Sequence, residues 1–514
     1  MNTRFDIANY ALMIFYLGFT ILIGIIFSKK EKNTEEYFLG GRCIPTFVIA
    51  VSMFVTVFSA ISFVAVPGEA FANGLSMFIS TLIIPIGTIV GFSMFVKFYF
   101  KANAFTPFTY LEQRYDRNIR ILISVIFILM KLFYLGIVMY ASAKCFKGAT
   151  GWPIWKTILI VGIIGIFYTT LGGMKAVVWT DFLQFFILVI GLGVVFWKIF
   201  TTVDGGIIGT VSYAFENERG FEVLKDMKTF TSFSIFERFT VWMMLLSAIG
   251  TYTFTYGCDQ MTIQRLLSTS SYREARKATI TNVILIIPII GMFWLIGLGL
   301  FSFYNSTGNT LPDGIHQNEV MSYFMIHELP TPVPGLLMAA LLAAVMSTID
   351  SGMNSLSAVF VKDIYITHFN PQSTTEQEMK ISRITTIVWG IIFIAFGITV
   401  GNLSENIVSS VFEIAGIWGA LFGIPAGAFL LGVTTKRAHK GIIYACSAIS
   451  IIALSALVYN YYTAELSHRI SFNIVGTSPF IVMIIIGYPL CMLWPAKEDT
   501  KSTEGLTLWT YKKS

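Results

Sequence analysis

The stretch Ala343-Ala344-Val345-Met346-Ser347-Thr348-Ile349-Asp350-Ser351-Gly352-Met353-Asn354-Ser355 lies inside an apolar run that opens near Pro334 and closes near Val361. Ser347, Thr348, Asp350 and Ser351 fall at i, i+1, i+3 and i+4, so on a helix they share one side. That side offers only oxygen, the ligand type that a hard cation such as Na+ prefers. Small hydroxyl residues also let helices pack closely in lipid. The carboxylate of Asp350 has no such packing use, and inside a membrane such a group is costly and as a rule functional.

Outward from this stretch, the 514-residue chain is 55% hydrophobic and 12% charged, with a mean hydropathy of +0.72. A soluble domain carries about 25% charged residues. The many apolar runs of about 20 residues are transmembrane helices of a polytopic protein. The alternating segments of about 10 residues that a β-barrel needs are absent. Hydropathy predicts thirteen helices, near 9–28, 44–66, 77–98, 119–146, 153–171, 176–199, 239–264, 278–303, 335–361, 384–401, 408–433, 441–460 and 476–494. Every second connection is basic: 24 of the 35 Lys and Arg residues fall on one set of loops and 8 on the other. This alternation predicts an external N-terminus, a cytoplasmic C-terminus, and external loops at 200–237 and 304–333. The net charge of +6 is therefore a topology signal and does not point to nucleic acid. The five cysteines (Cys43, Cys145, Cys258, Cys446, Cys491) lack metal-type spacing and read as packing residues. The first apolar run has no cleavage site after it and reads as a retained helix. No Walker-type or dinucleotide motif is present, so any pumping must draw on an ion gradient.

Two helices carry breaks. Val51-Ser52-Met53-Phe54-Val55-Thr56-Val57-Phe58-Ser59-Ala60-Ile61-Ser62-Phe63 is dense in β-branched and hydroxyl residues that weaken a helix, and Pro67-Gly68 is expected to close it. Gly250-Thr251-Tyr252-Thr253-Phe254-Thr255-Tyr256-Gly257-Cys258-Asp259-Gln260 is interrupted at Gly257. With the first helix set aside, these are the first members of two successive groups of five. Broken helices at corresponding positions in two halves point to a transport site near the midplane, and an unwound turn frees carbonyls for a cation.

Two further markers carry a resemblance. Tyr168-Thr169-Thr170-Leu171-Gly172-Gly173-Met174-Lys175-Ala176 is followed by Val178-Trp179-Thr180-Asp181 and Gln184, and Tyr256-Gly257-Cys258-Asp259-Gln260 continues into Met261-Thr262-Ile263-Gln264-Arg265. Across about residues 9–495 the chain resembles the sodium/solute symporters, whose members carry sugars, monocarboxylates, iodide, vitamins, proline or sialic acid. A later family signature is only partly met: Lys436 leads to Gly441, but Ile442 replaces an Ala. The resemblance implies an all-α integral membrane fold, a LeuT-type 5+5 inverted repeat in one transmembrane domain of residues 1–495. Residues 9–28 would be an extra first helix, 44–199 the first repeat, 239–433 the second, 441–494 C-terminal helices, and 496–514 a polar cytoplasmic tail, partly disordered.

The resemblance also implies the ligands. A first Na+ is expected on the carbonyls of Val55, Phe58 and Ala344 with the hydroxyls of Ser347 and Thr348. A second Na+ has matching positions at Asp181, Asp350 and Ser351, although Asp350 could instead pair with a base such as Lys175. Solute contacts are expected among Thr56, Ser59, Ser62, Thr81, Tyr134, Asp259, Gln260 and Glu413. Sialic acid carriers of the family grip the carboxylate with an Arg at or beside the position of Tyr134. Lys131, one turn before, either supplies that charge or snorkels to the interface. The acid at 259 suits a sugar, whereas Lys131 and the segment from Tyr134 to Ala141 lean to a small organic acid. The expected function is Na+-driven symport of a small solute across the plasma membrane, by a monomer or weak oligomer in the lipid bilayer. A Na+-coupled sugar symporter is the alternative. A non-coupled channel or sensor would need a filter or signalling domain that the sequence lacks. No nucleophile–base or metal cluster suggests an enzyme.

Overall fold

The computed structural model describes residues 5–28, 33–58, 60–404, 416–417, 419–465, 468–494 and 504–511, and every regular element among them is helical. The principal helices are α1 (Ile7–Ser28), α2 (Thr46–Val57), α3 (Ala60–Asn73), α4 (Phe78–Lys101), α5 (Arg117–Thr150), α6 (Ile154–Thr202), α7 (Val241–Gly257), α8 (Gln260–Leu267), α9 (Tyr272–Ser306), α10 (Val333–Val359), α11 (Thr375–Ser404), α12 (Gly423–Thr434), α13 (Lys440–Thr463) and α14 (Phe472–Ile485). Among the described residues, eight helices are individually long and apolar enough to cross a membrane. One of them is the 49-residue α6, which spans two predicted segments and breaks at Gly173. Gly173 has φ 48°, ψ −149°, a backbone geometry that side-chain-bearing residues avoid. The remaining predicted segments are α1, the pairs α2/α3 and α7/α8, and α12.

The α2/α3 break falls within the expected hydroxyl-rich stretch, but the helix does not close at Pro67–Gly68 as expected. The chain leaves helical geometry at Phe58 (φ −87°, ψ 88°), and α3 then runs through Pro67 to Asn73. Proline removes one donor from the ladder, which buried neighbours in a membrane protein tolerate. Here Gly68 lies against the Gln317 carbonyl, where a Cβ would stand only 2.7 Å from that oxygen. The extension of α10 to Phe369 is the most enclosed span: 89% of its apolar window is buried, against 28–61% for the other seven. It packs on α1, α5, α6 and α11. This explains its composition, because a helix surrounded by protein on all sides can carry hydroxyls and a carboxylate that lipid would not accept.

The predicted loop alternation is visible in what meets what. On one face Arg42 donates to the Leu267 and Ala104 carbonyls, Thr46 bonds Glu274, Arg120 pairs with Glu112 and Asp363, Lys362 with Glu378, and Lys440 with Asp116. On the other face Glu69 meets Arg238, and Lys144 meets Glu319. The loops expected to be external contain short helices at Gly206–Glu216 and Val320–His327. In the tail, residues 504–511 are docked. The Leu506 carbonyl accepts from Tyr110, Leu508 N–H donates to Val433, Trp509 Nε1 donates to Thr434, and the Tyr511 ring lies 4.5 Å from Lys97 Nζ. Apolar and aromatic residues among the tail charges give it a surface to bury.

Candidate functional site

The two breaks face each other across a cavity of ≈ 360 Å³. Thr56 and Val57 at the end of α2, Ser62 in α3, Met130, Lys131 and Tyr134 on α5, and Thr251 to Asp259 on α7 and its end contribute to its wall. The arrangement follows from sequence: glycine and polar residues stop α7, and Asp259 starts α8 by accepting the Met261 N–H at 2.9 Å. Its other oxygen, Oδ2, accepts from Lys131 Nζ at 2.5 Å. The ammonium also sits 5.3 Å from the Tyr134 ring and 5.7 Å from Phe127. Lys131 therefore turns into the cavity wall and does not snorkel. Lys131 and Asp259 are the only charged groups among the described residues lining the cavity.

One wall further in lies the oxygen-rich side of α10. At the end of α2 the last carbonyls lose their helical partners, Val55 and Phe58 lying at this turn. Thr348 Oγ1 donates to the Ala344 carbonyl at 3.0 Å, and Ser347 Oγ has no hydrogen-bond partner among the described residues. These buried, under-used oxygens fit a small hard cation. Thr56 Oγ1 stands 3.3 Å from Ser351 Oγ, so one residue borders both the cavity and α10.

The expected second cation set is arranged differently. Asp181 Oδ2 accepts from Arg265 Nη2 at 2.9 Å and from Ser52 Oγ at 2.5 Å. Arg265 also donates to Ser52 Oγ at 2.7 Å, to the Met261 carbonyl at 2.8 Å, and to Ser351 Oγ. The guanidinium thus holds the place between Asp181 and Ser351. Asp350 is on another side of α10, with Oδ1 against Gly165 and neither oxygen hydrogen-bonded among the described residues. It does not pair with Lys175.

Of the expected solute contacts, Thr56, Ser62, Lys131, Tyr134 and Asp259 line the cavity. Thr81 does not, although Ser80 beside it does, and Gln260 turns away to the Phe105 carbonyl and Gln264. Ser59 and Glu413 lie outside the described residues. Arg265 is the residue that sequence reasoning misplaced: it counted as a loop base, yet it is fully buried within α8. The available signal was its position six residues after Asp259, too close to the break to have reached the membrane surface.

The geometry has counterparts in known proteins. Residues 37–466 match the model of the Sodium:solute symporter family. The sodium/sialic acid symporter SiaT of Proteus mirabilis is 29% identical over 505 residues, 97% of this chain and 99% of its own. Human sodium-coupled monocarboxylate transporter 1 is 26% identical over 85% of this chain and 70% of its own length. A solved Na+-coupled sialic acid symporter, in a substrate-bound outward-open state, superimposes with a TM-score of 0.86 at 28% identity, covering 96% of this chain and all of that one. The fold is accordingly the LeuT-like one that the resemblance implied, and the chain, a Na+-coupled solute transporter, belongs to the sodium:solute symporter family.

Proposed function

We propose that this symporter imports a carboxylate-bearing organic solute, of the sialic acid or monocarboxylate type, by alternating access across the plasma membrane. The observation that carries the reading is the Lys131 ammonium, held in the wall of the cavity between the two broken helices. A cation kept at that depth is expensive unless it has work to do. Relatives named for sialic acid and monocarboxylates agree with it. The cavity volume falls in the range that encloses solutes larger than a three-carbon acid, which favours the sialic acid type. The sugar alternative draws on Asp259, which the contact with Lys131 engages no more than it engages Lys131, so the glucose arm of the test separates the two readings.

Na+ would bind at the Val55, Phe58 and Ala344 carbonyls with the Ser347 and Thr348 hydroxyls, ordering the end of α2 beside Thr56 and so completing the solute wall. Each ligand then tightens the other by the same factor. We infer a stoichiometry of one Na+ in the state described, because Arg265 already supplies the positive charge at Asp181. The N-terminus faces out and the C-terminus in, in keeping with the basic face formed around Arg42, Arg120 and Lys362.

The test is thermal stability of the purified protein with N-acetylneuraminate, pyruvate and glucose, in Na+ and again in K+. The expected result is a shift with an acid, larger in Na+, and a Hill coefficient for Na+ near one. A shift with glucose alone moves the assignment to the sugar branch. A coefficient near two restores the second cation.

A further inference from the structure

The Lys131–Asp259 pair has a consequence for which carboxylates can bind, and it rests on the carboxylate reading above. The two side chains are 9% and 6% exposed, both at the cavity surface. Nζ and Oδ2 are in direct contact at 2.5 Å, a charge-assisted hydrogen bond. Asp259 Oδ1 is engaged by the Met261 N–H and cannot swing away without uncapping α8. A bare carboxylate that drew Lys131 to itself would leave Asp259 Oδ2 without a donor, next to an approaching negative charge. Leaving one partner of a buried pair uncompensated costs more than the new contact returns. A solute that also brings its own donor for Asp259 avoids this loss.

The geometry also restricts where that donor sits. Hydrogen bonds of about 2.8 Å to each member of so close a pair require the solute's acceptor and donor to be neighbours. A carboxylate and a hydroxyl on the adjacent carbon meet this condition with the fewest rotatable bonds to fix, whereas a hydroxyl farther along the solute meets it only after more of them are ordered. We propose that Lys131 and Asp259 act together as a clasp for 2-hydroxycarboxylates, open-chain or cyclic, with the carboxylate on Lys131 and the 2-hydroxyl donating to Asp259. Specificity then comes from a polar pair left unsatisfied by the wrong solute, the strongest kind of discrimination a pocket has.

The experiment compares matched acids on the purified protein in Na+: N-acetylneuraminate against its 2-deoxy analogue, and lactate against propionate, each titrated for thermal stabilisation. At least one hydroxy acid is expected to act at a concentration lower by about tenfold or more than its deoxy partner. Asp259→Asn keeps a capping side chain for Met261 and removes the charge; with its fold checked by a cooperative unfolding transition, the preference in it should fall below about threefold while propionate or the 2-deoxy sugar acid gains. Equal action of the deoxy partners on the unmutated protein overturns the clasp and leaves the carboxylate reading standing. Stabilisation by glucose with none by any of the four acids overturns both. A preference retained in Asp259→Asn assigns the 2-hydroxyl to another residue and overturns the clasp.

Discussion

The half-helix α8 carries one buried ion pair at each end, and the two behave differently. At its start, Asp259 pairs with Lys131, and among the described residues Lys131 is met by this carboxylate and two ring faces. Near its end, Arg265 is tied to Asp181, Ser52, Ser351 and the Met261 carbonyl, with side-chain exposure of 1% and 0% for the pair. The first pair borders a cavity; the second is sealed on all sides. A planar guanidinium with five donors suits a fixed network, whereas an ammonium on a flexible stem can exchange one acceptor for another. One half-helix thus joins a replaceable contact at the cavity wall to a permanent one in the sealed interior.

Four substitutions break or sharpen this contrast. The largest effect is expected for Arg265→Met, which strands the Asp181 carboxylate and should cost about 3–5 kcal/mol of stability. Adding Asp181→Asn should recover most of the loss in thermal unfolding, and an unharmed single mutant would show that the network does not hold the fold. Lys131→Met should cost less, about 1–3 kcal/mol, because Asp259 can take water from the cavity. Its uptake should fall to background while stabilisation by Na+ persists; normal uptake would remove Lys131 from the solute site. Ser347→Ala should raise the Na+ concentration for half-maximal uptake about tenfold, equivalent to about 1.4 kcal/mol. Unchanged Na+ dependence would move the cation away from α10. Lys440→Ala, which removes a 63% exposed partner of Asp116, should change stability by about 0.5 kcal/mol or less. A larger change would mean that pairs on this face also carry the fold.

Much of the architecture was legible because membrane burial imposes simple patterns. The oxygen-rich side of α10, the break at Gly257 to Asp259 and the turn at Gly173 could all be read from residue type and spacing. Two things could not. The end of the segment was one: the conspicuous Pro67 was absorbed into a helix that runs on to Asn73, because buried neighbours tolerate the lost donor. Sequence also marks a charge without naming its partner: Lys131 meets Asp259 from 128 positions away, and that pairing turned a candidate anion grip into a neutral couple. Arg265 was hidden for the same reason, since a base near a helix end reads as a loop residue until its carboxylate is found.

The 84 positions that separate Asp181 from Arg265 set a condition on how this protein is made. Helices enter the bilayer roughly in order of synthesis, so α6 is placed while α8 is still being translated. Asp181 must spend that interval without its partner, either neutralised by a proton or sheltered by Ser52 of α2, which has already been made. A carboxylate within a lone helix opposes insertion by up to about 3 kcal/mol, less in the first turns after Gly173 where Asp181 lies than at the helix centre, and the apolar length of α6 has to outweigh that cost. When Arg265 arrives, the two charges neutralise each other and the helices holding them can no longer separate cheaply.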